Sequence, residues 1–308
     1  MFNKRTLISY QCWIFLILHS LLPLPYSSAH TITNDNDKDK AIFILAGQSN
    51  MAGRGGVINN VWDQIIPSAS TANPSILRLD AKLHWREAKE PLHKGIDVNH
   101  TCGVGPGMVF ANSIIGRVGV VGLVPCAVGG TNISQWSRGG WLYGQLLRRA
   151  AAAVRDGGSI QGLVWYQGES DTVLKVDAER YQHKLEKLFL DIRSDLQSPL
   201  LPIIQVAIAS GEGPYIAEVR RAQMGVDLLN FKTIDAMGLP LEPDNLHLTS
   251  PAQVYLGVKL ADAFLQFLPT EAQPSPNNML IQKNEANVLH VFCSYITIII
   301  GLLFISLH

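Results

Sequence analysis

Ala41-Ile42-Phe43-Ile44-Leu45-Ala46 is an unbroken apolar run that stops at Gly47-Gln48-Ser49-Asn50-Met51. A short run without polar alternation predicts a strand buried on both faces, as parallel strands are. Four further runs share this character: Val118 to Val124, Leu163 to Tyr166, Ile203 to Ile208 and, more weakly, Phe231 to Asp235. Between them the apolar spacing changes to steps of three and four. Ala178, Tyr181, Leu185, Leu188, Phe189, Ile192 and Leu196 form one such stripe, and Tyr215, Ile216, Val219, Ala222, Val226 and Leu229 another. Both predict amphipathic helices. A final helix starts with Ser250 as cap and Pro251 at the first helical position, with Val254, Val258, Ala261 and Leu265 on one side. Strands alternating with helices predict a three-layer α/β/α sandwich around a parallel sheet of about five strands, flavodoxin-like in order. The stretch from Val57 to Gly105 fits neither period. It reads as an irregular excursion that shapes a substrate surface.

The 308 residues carry a formal net charge of zero, with 16% charged. Nothing in that balance points to nucleic acid or to an anionic surface as partner. The two ends differ from the middle. Lys4 and Arg5, the apolar run Trp13 to Leu24 and the small residues Ser27, Ser28 and Ala29 predict a secretory signal over 1–29, with an uncleaved anchor as the alternative. Residues 30–40 are a polar, flexible lead-in, and residues 41–270 read as one domain. A polar linker covers 271–287. The tail, 288–308, is apolar and about long enough to span a bilayer. It is open to three readings: a glycolipid-anchor signal, a plain membrane anchor, or a misplaced terminal exon. The secretory pathway and an extracellular or cell-surface location are therefore expected. Cys102 and Cys126 fall inside the domain. They could pair in an oxidising compartment or stay as two buried thiols.

Chemistry concentrates after the predicted strands, where sites of open α/β sheets form. Ser49 follows the first strand, at a turn that exposes a hydroxyl and points helix N–H groups at a reacting centre. Position 51 is Met, so this is not the G-x-S-x-G elbow. Asp244-Asn245-Leu246-His247 follows the last strand. Its carboxylate can fix the tautomer of an imidazole three residues on. Cys126-Ala127-Val128-Gly129-Gly130-Thr131-Asn132 offers paired glycines whose N–H groups could hold an oxyanion. A phosphate loop is disfavoured there, because the lysine of that motif is missing. Trp165-Tyr166-Gln167-Gly168-Glu169-Ser170-Asp171 offers a carboxamide, Gln167, for the same oxyanion. Each feature alone is weak, and a helix cap or polar loop accounts for it.

The order of the four is specific. Together with Cys102 to Asn112 (CGVGPGMVFAN), Ile42 to Gly56 (IFILAGQSNMAGRGG) and Gly122 to Trp136 (GLVPCAVGGTNISQW), they resemble the SGNH hydrolases. Within these, they resemble the plant carbohydrate esterases with a sialate O-acetylesterase-like domain, over about residues 41–270. The resemblance implies Ser49 as nucleophile, His247 as base and Asp244 as its orienting partner. It implies an oxyanion hole from the Ser49 N–H, Gly130 and Gln167, the last standing where most SGNH enzymes have Asn. Gln48, Asn50 and Glu169 are expected to contact substrate. No metal and no cofactor are implied. The expected reaction is removal of short acyl groups, foremost acetyl, from a carbohydrate. A catalytically silent carbohydrate-binding protein and a lipase-like esterase on the same triad stay open.

Other residues receive plainer readings. His84, His93 and His100 are expected at the surface or facing substrate. Trp85, Trp136 and Trp141 are core residues by default and sugar platforms by exception. Asn99-His100-Thr101 and Asn132-Ile133-Ser134 match the glycosylation acceptor.

Overall fold

The structure, a computed structural model, describes residues 40–269; the signal, the tail and nearly all of both linkers lie outside them. In chain order the elements are β1 (Ala41–Gly47), α1 (Ser49–Ala52), β2 (Val57–Ile58), β3 (Val61–Trp62), β4 (Ile76–Leu79), β5 (Trp85–Glu87), α2 (Gly107–Val118), β6 (Val121–Pro125), α3 (Trp141–Ala153), β7 (Ser159–Tyr166), α4 (Lys175–Asp195), β8 (Ile203–Ala207), α5 (Ile216–Met224), β9 (Phe231–Asp235) and α6 (Ser250–Leu265). The main sheet runs β5-β4-β6-β1-β7-β8-β9. All its pairings are parallel except β4 with β5.

The five runs read from the sequence occupy β6-β1-β7-β8-β9, which is the flavodoxin-like order 2-1-3-4-5. The expectation of about five strands needs correction. The excursion adds β4 and antiparallel β5 at one edge, and β2 and β3 form a separate hairpin. In β4 only Ile76 and Leu79 are buried, around half-exposed Leu77 and Arg78. The strand therefore lacks the solid apolar run that marks the centre of the sheet.

β1 is buried along its length because helices cover both faces. On one face Phe43 meets Phe110 of α2 and Phe264 of α6, with ring centroids 5.0 and 4.7 Å apart. On the other, Trp165 meets Trp136 at 5.2 Å and Phe189 of α4 at 6.0 Å. Burying each of Ile42, Phe43, Ile44 and Leu45 contributes roughly 1.5–3 kcal/mol, so the strand that delivers Ser49 is the most firmly held part of the sheet.

Boundaries shift where caps decide them. Val118 belongs to α2, which ends at Gly119 with φ 74°, so β6 begins only at Val121. The cap of α6 is Thr249, not Ser250; its hydroxyl accepts from Ala252 N at 3.3 Å, and Pro251 still sits in the first turn. Gly47 has φ 132°, and a Cβ there would lie 2.0 Å from the Tyr166 carbonyl oxygen. Only glycine lets the chain turn this close to β7 and enter α1.

Candidate active site

β1 ends at Gly47, and Ser49 is the first residue of α1. The loop from Ala236 to Thr249 brings His247 to the same end of the sheet. His247 Nε2 lies 2.9 Å from Ser49 Oγ, and His247 Nδ1 lies 2.6 Å from Asp244 Oδ2. A carboxylate only accepts, so Nδ1 carries the ring proton and Nε2 is free to accept from the serine hydroxyl. Asp244 Oδ1 accepts the backbone N–H groups of Leu246 (2.9 Å) and His247 (3.0 Å). Burial alone would raise the Asp244 carboxyl. The His247 N–H, the His247 ring and the Leu246 N–H outweigh it and hold the group below the ordinary aspartate range. Asn245, at φ 56°, makes the tight turn that puts Asp244 and His247 side by side.

Gly130 also lines the cleft at Ser49, with φ 68°. Among the described residues, neither the Ser49 nor the Gly130 N–H has an acceptor. Both are available to an oxyanion. Gln167 is not. Its side chain is fully buried, and Nε2 donates to Asp171 Oδ2 (2.6 Å), Thr131 O (2.9 Å) and Gln48 Oε1 (3.2 Å). An amide nitrogen has two hydrogens, and both are engaged. Gln167 therefore braces the loops after β6 and β7 from inside rather than reaching into the cleft.

The expected substrate contacts Gln48, Asn50 and Glu169 are likewise fully buried and must be reassigned. Gln48 Oε1 also accepts from Gly168 N and fixes that loop against the serine turn. Asn50 joins the two halves of the site. Its Oδ1 accepts from Leu248 N at 2.9 Å, while Nδ2 donates to Glu169 Oε1 at 2.7 Å and Leu246 O at 3.3 Å. The residue after Ser49 thus holds the His247 loop in register.

Burial, with the nearby negative charges of Glu212 and Asp171, pushes the Glu169 carboxyl up to about 7 against the Asn50 donation. In the unfolded chain it loses its proton near the ordinary 4.5. The folded state then binds more protons than the unfolded state between those values. Stability contributed by this group is full below pH 4.5 and falls as pH rises to about 7, by roughly 3 kcal/mol. Glu169→Gln should therefore lessen the decline in urea midpoint between pH 5 and pH 7.5, to which burial of Asp171, pushed up to about 6, and of Glu90, pushed up to about 8, also contributes. An unchanged decline would rule out Glu169 as its source.

The structure adds residues that the sequence reading passed over. Arg54 is buried beside the cleft, paired with Asp97, and donates to Gly53 O at 3.0 Å. Asp97 Oδ2 also accepts from Gly129 N at 3.2 Å, so the pair fixes the glycine turn. A Cβ on Gly129 would sit 2.6 Å from the guanidinium, which is why that position is glycine. The one available signal was an arginine set among small residues in Ala52-Gly53-Arg54-Gly55-Gly56, where the backbone leaves room for a large side chain. His100 lines the cleft, whereas His84 is exposed elsewhere. His93 is buried, and its burial pushes the ring down to about 3. Cys102 and Cys126 are free thiols, each pushed up to about 11 by burial.

Comparison with known proteins places the chain in a family. The family profile described as "Carbohydrate esterase, sialic acid-specific acetylesterase" (SASA) matches residues 39–266. A "Probable carbohydrate esterase" of Arabidopsis thaliana is 55% identical over 234 residues, covering 73% of this chain and 90% of the relative. A crystal structure of an Arabidopsis thaliana protein superposes with a TM-score of 0.72 at 54% identity, covering 74% of this chain and 98% of that one. The crystal structure of NanS shares the fold at TM-score 0.59 and 17% identity, over 75% of this chain and 98% of its own. The chain belongs to the SASA family of carbohydrate esterases.

Proposed function

We propose that the protein is a serine esterase that removes short acyl groups, foremost acetyl, from a carbohydrate through an acyl-enzyme on Ser49. The observation that carries this reading is the continuous hydrogen-bond line Asp244–His247–Ser49 opening into a cleft of only about 150 Å³. His247 Nε2 takes the Ser49 proton as Oγ attacks the acyl carbonyl. The N–H groups of Ser49 and Gly130 receive the oxyanion. The imidazolium then gives its proton to the departing sugar oxygen. Water, deprotonated by His247, attacks the acyl-enzyme and releases the carboxylic acid. A cleft of this size suits an acetyl group, which favours short acyl esters over those of fatty chains. Delivery by residues 1–29 would place the enzyme among extracellular glycans, and membrane attachment would rest on residues 288–308.

An acyl-length series tests the proposal. Aryl acetate should exceed aryl octanoate by about tenfold or more in kcat/KM, as expected when methylenes find no pocket. A fluorophosphonate should label Ser49, with the adduct located by peptide mass. Faster octanoate turnover, or labelling at another residue, would defeat it.

A further inference from the structure

Three tryptophans could serve as sugar platforms, and the fold uses two of them elsewhere. Trp136 is fully buried, and Trp85 packs its ring edge over Gly122. Trp141, at the first turn of α3, is 71% exposed. Such a large apolar face left in water calls for a reason.

Beside it opens a second cleft of about 260 Å³ with an apolar floor that includes Leu142 and Val128. Val98, 74% exposed, forms the opposite rim. This cleft adjoins the one at Ser49. Val128 lines the Trp141 cleft and its neighbour Gly129 the Ser49 cleft; likewise Val98 lines the Trp141 cleft and His100 the Ser49 cleft. Gln145 and Arg148 follow Trp141 four and seven residues later, so they share its helix face, and both line the cleft. Arg148 Nη2 donates to Gln145 Oε1 at 2.8 Å, which leaves the Gln145 amide hydrogens and the other guanidinium N–H groups as donors.

An indole face bordered by an amide and a guanidinium suits a pyranose ring, whose axial C–H groups stack while its hydroxyls accept at the rim. The volume is below the roughly 300–1,000 Å³ of pockets that enclose a drug-sized ligand. It fits a single ring of a chain that continues past it. We propose that the Trp141 cleft is a carbohydrate subsite that binds a neighbouring sugar of the glycan whose ester lies at Ser49, so that oligomeric esters are preferred to monomeric ones. This rests on the esterase reading of Ser49.

The test compares wild type with Trp141→Ala and Trp141→Tyr. Substrates are an aryl acetate and partially acetylated xylo-, glucomanno- and galacturono-oligosaccharides, each beside its acetylated methyl glycoside. Wild type should prefer the oligomer in at least one series. Trp141→Ala should lower kcat/KM for that oligomer by about tenfold, the cost of truncating one aromatic anchor. Methyl glycoside and aryl acetate rates should hold, which also reports an intact fold, and Trp141→Tyr should keep most of the preference. Absence of any oligomer preference in wild type, or a preference that survives in Trp141→Ala, would overturn the subsite. Aryl acetate turnover that survives in Ser49→Ala would instead overturn the esterase reading beneath it.

Discussion

Ser49→Ala should lower kcat on a short aryl acetate by roughly a million-fold, the scale seen when the nucleophile of such a triad is removed. Among the described residues, the Ser49 hydroxyl is the group placed to donate to His247 Nε2 and then attack, at 2.9 Å. Loss of fold should not contribute. The turn that carries Ser49 is held by backbone bonds, Gln48 N to Tyr166 O (2.8 Å) and Gly53 N to Ser49 O (2.9 Å). The melting temperature should therefore match wild type. Because nucleophile and base act as one unit, His247→Ala should cost about as much, and the double variant little more. Steady-state kinetics on all three proteins checks this. A Ser49→Ala protein retaining more than about one per cent of wild-type kcat would exclude Ser49 as nucleophile.

Asp244→Asn should cost about ten-thousand-fold in kcat with little change in KM, because it attacks the tautomer and not the binding surface. The carboxylate serves two donor sets at once: Oδ1 takes two backbone N–H groups and Oδ2 takes the ring Nδ1–H. A carboxamide has only one acceptor. If its oxygen stays with the backbone, its NH₂ faces Nδ1 and forces the ring proton onto Nε2. The imidazole then can no longer accept from Ser49. If the oxygen turns to the ring instead, the turn loses its two N–H bonds. Fluorophosphonate labelling of Ser49 should slow in proportion to kcat. Labelling at the wild-type rate would show that Asp244 does not set the state of His247.

What the sequence discloses follows burial and spacing. The strand Ala41 to Gly47 announces itself because both its faces are buried, so every residue is apolar. β4 and β5 do not, because strands near or at the sheet edge bury few side chains and Arg78, Arg86 and Glu87 break any run. α2 and α3 lack side-chain caps, starting after Pro106 and Gly140, and so offered no start signal. Ser49, Gly130, Asp244 and His247 are legible through their order after successive strands and the family resemblance that order carries, not one by one. Gln48, Asn50, Gln167 and Glu169 were read outward, toward substrate, yet they point inward. A polar side chain in a loop gives no hint of its own burial, since partners such as Asn50 with Glu169 and Leu248, or Gln48 with Gln167, lie more than a hundred residues apart. Arg54 and Asp97 stay hidden for the same reason: the pairing spans 43 residues.

The Asn50 bridge has a consequence for how the chain is made. It ties the turn after the first strand to a backbone N–H 198 residues further on. Ser49 and His247 stand 198 residues apart, so an unfinished chain that stops short of the 244–247 turn carries the serine without the imidazole. Ser49 can meet His247 only once the loop that Asn50 grips has been made and docked. On the mechanism proposed for Ser49, turnover then reports a late step of assembly, and a chain cut before that loop should show none.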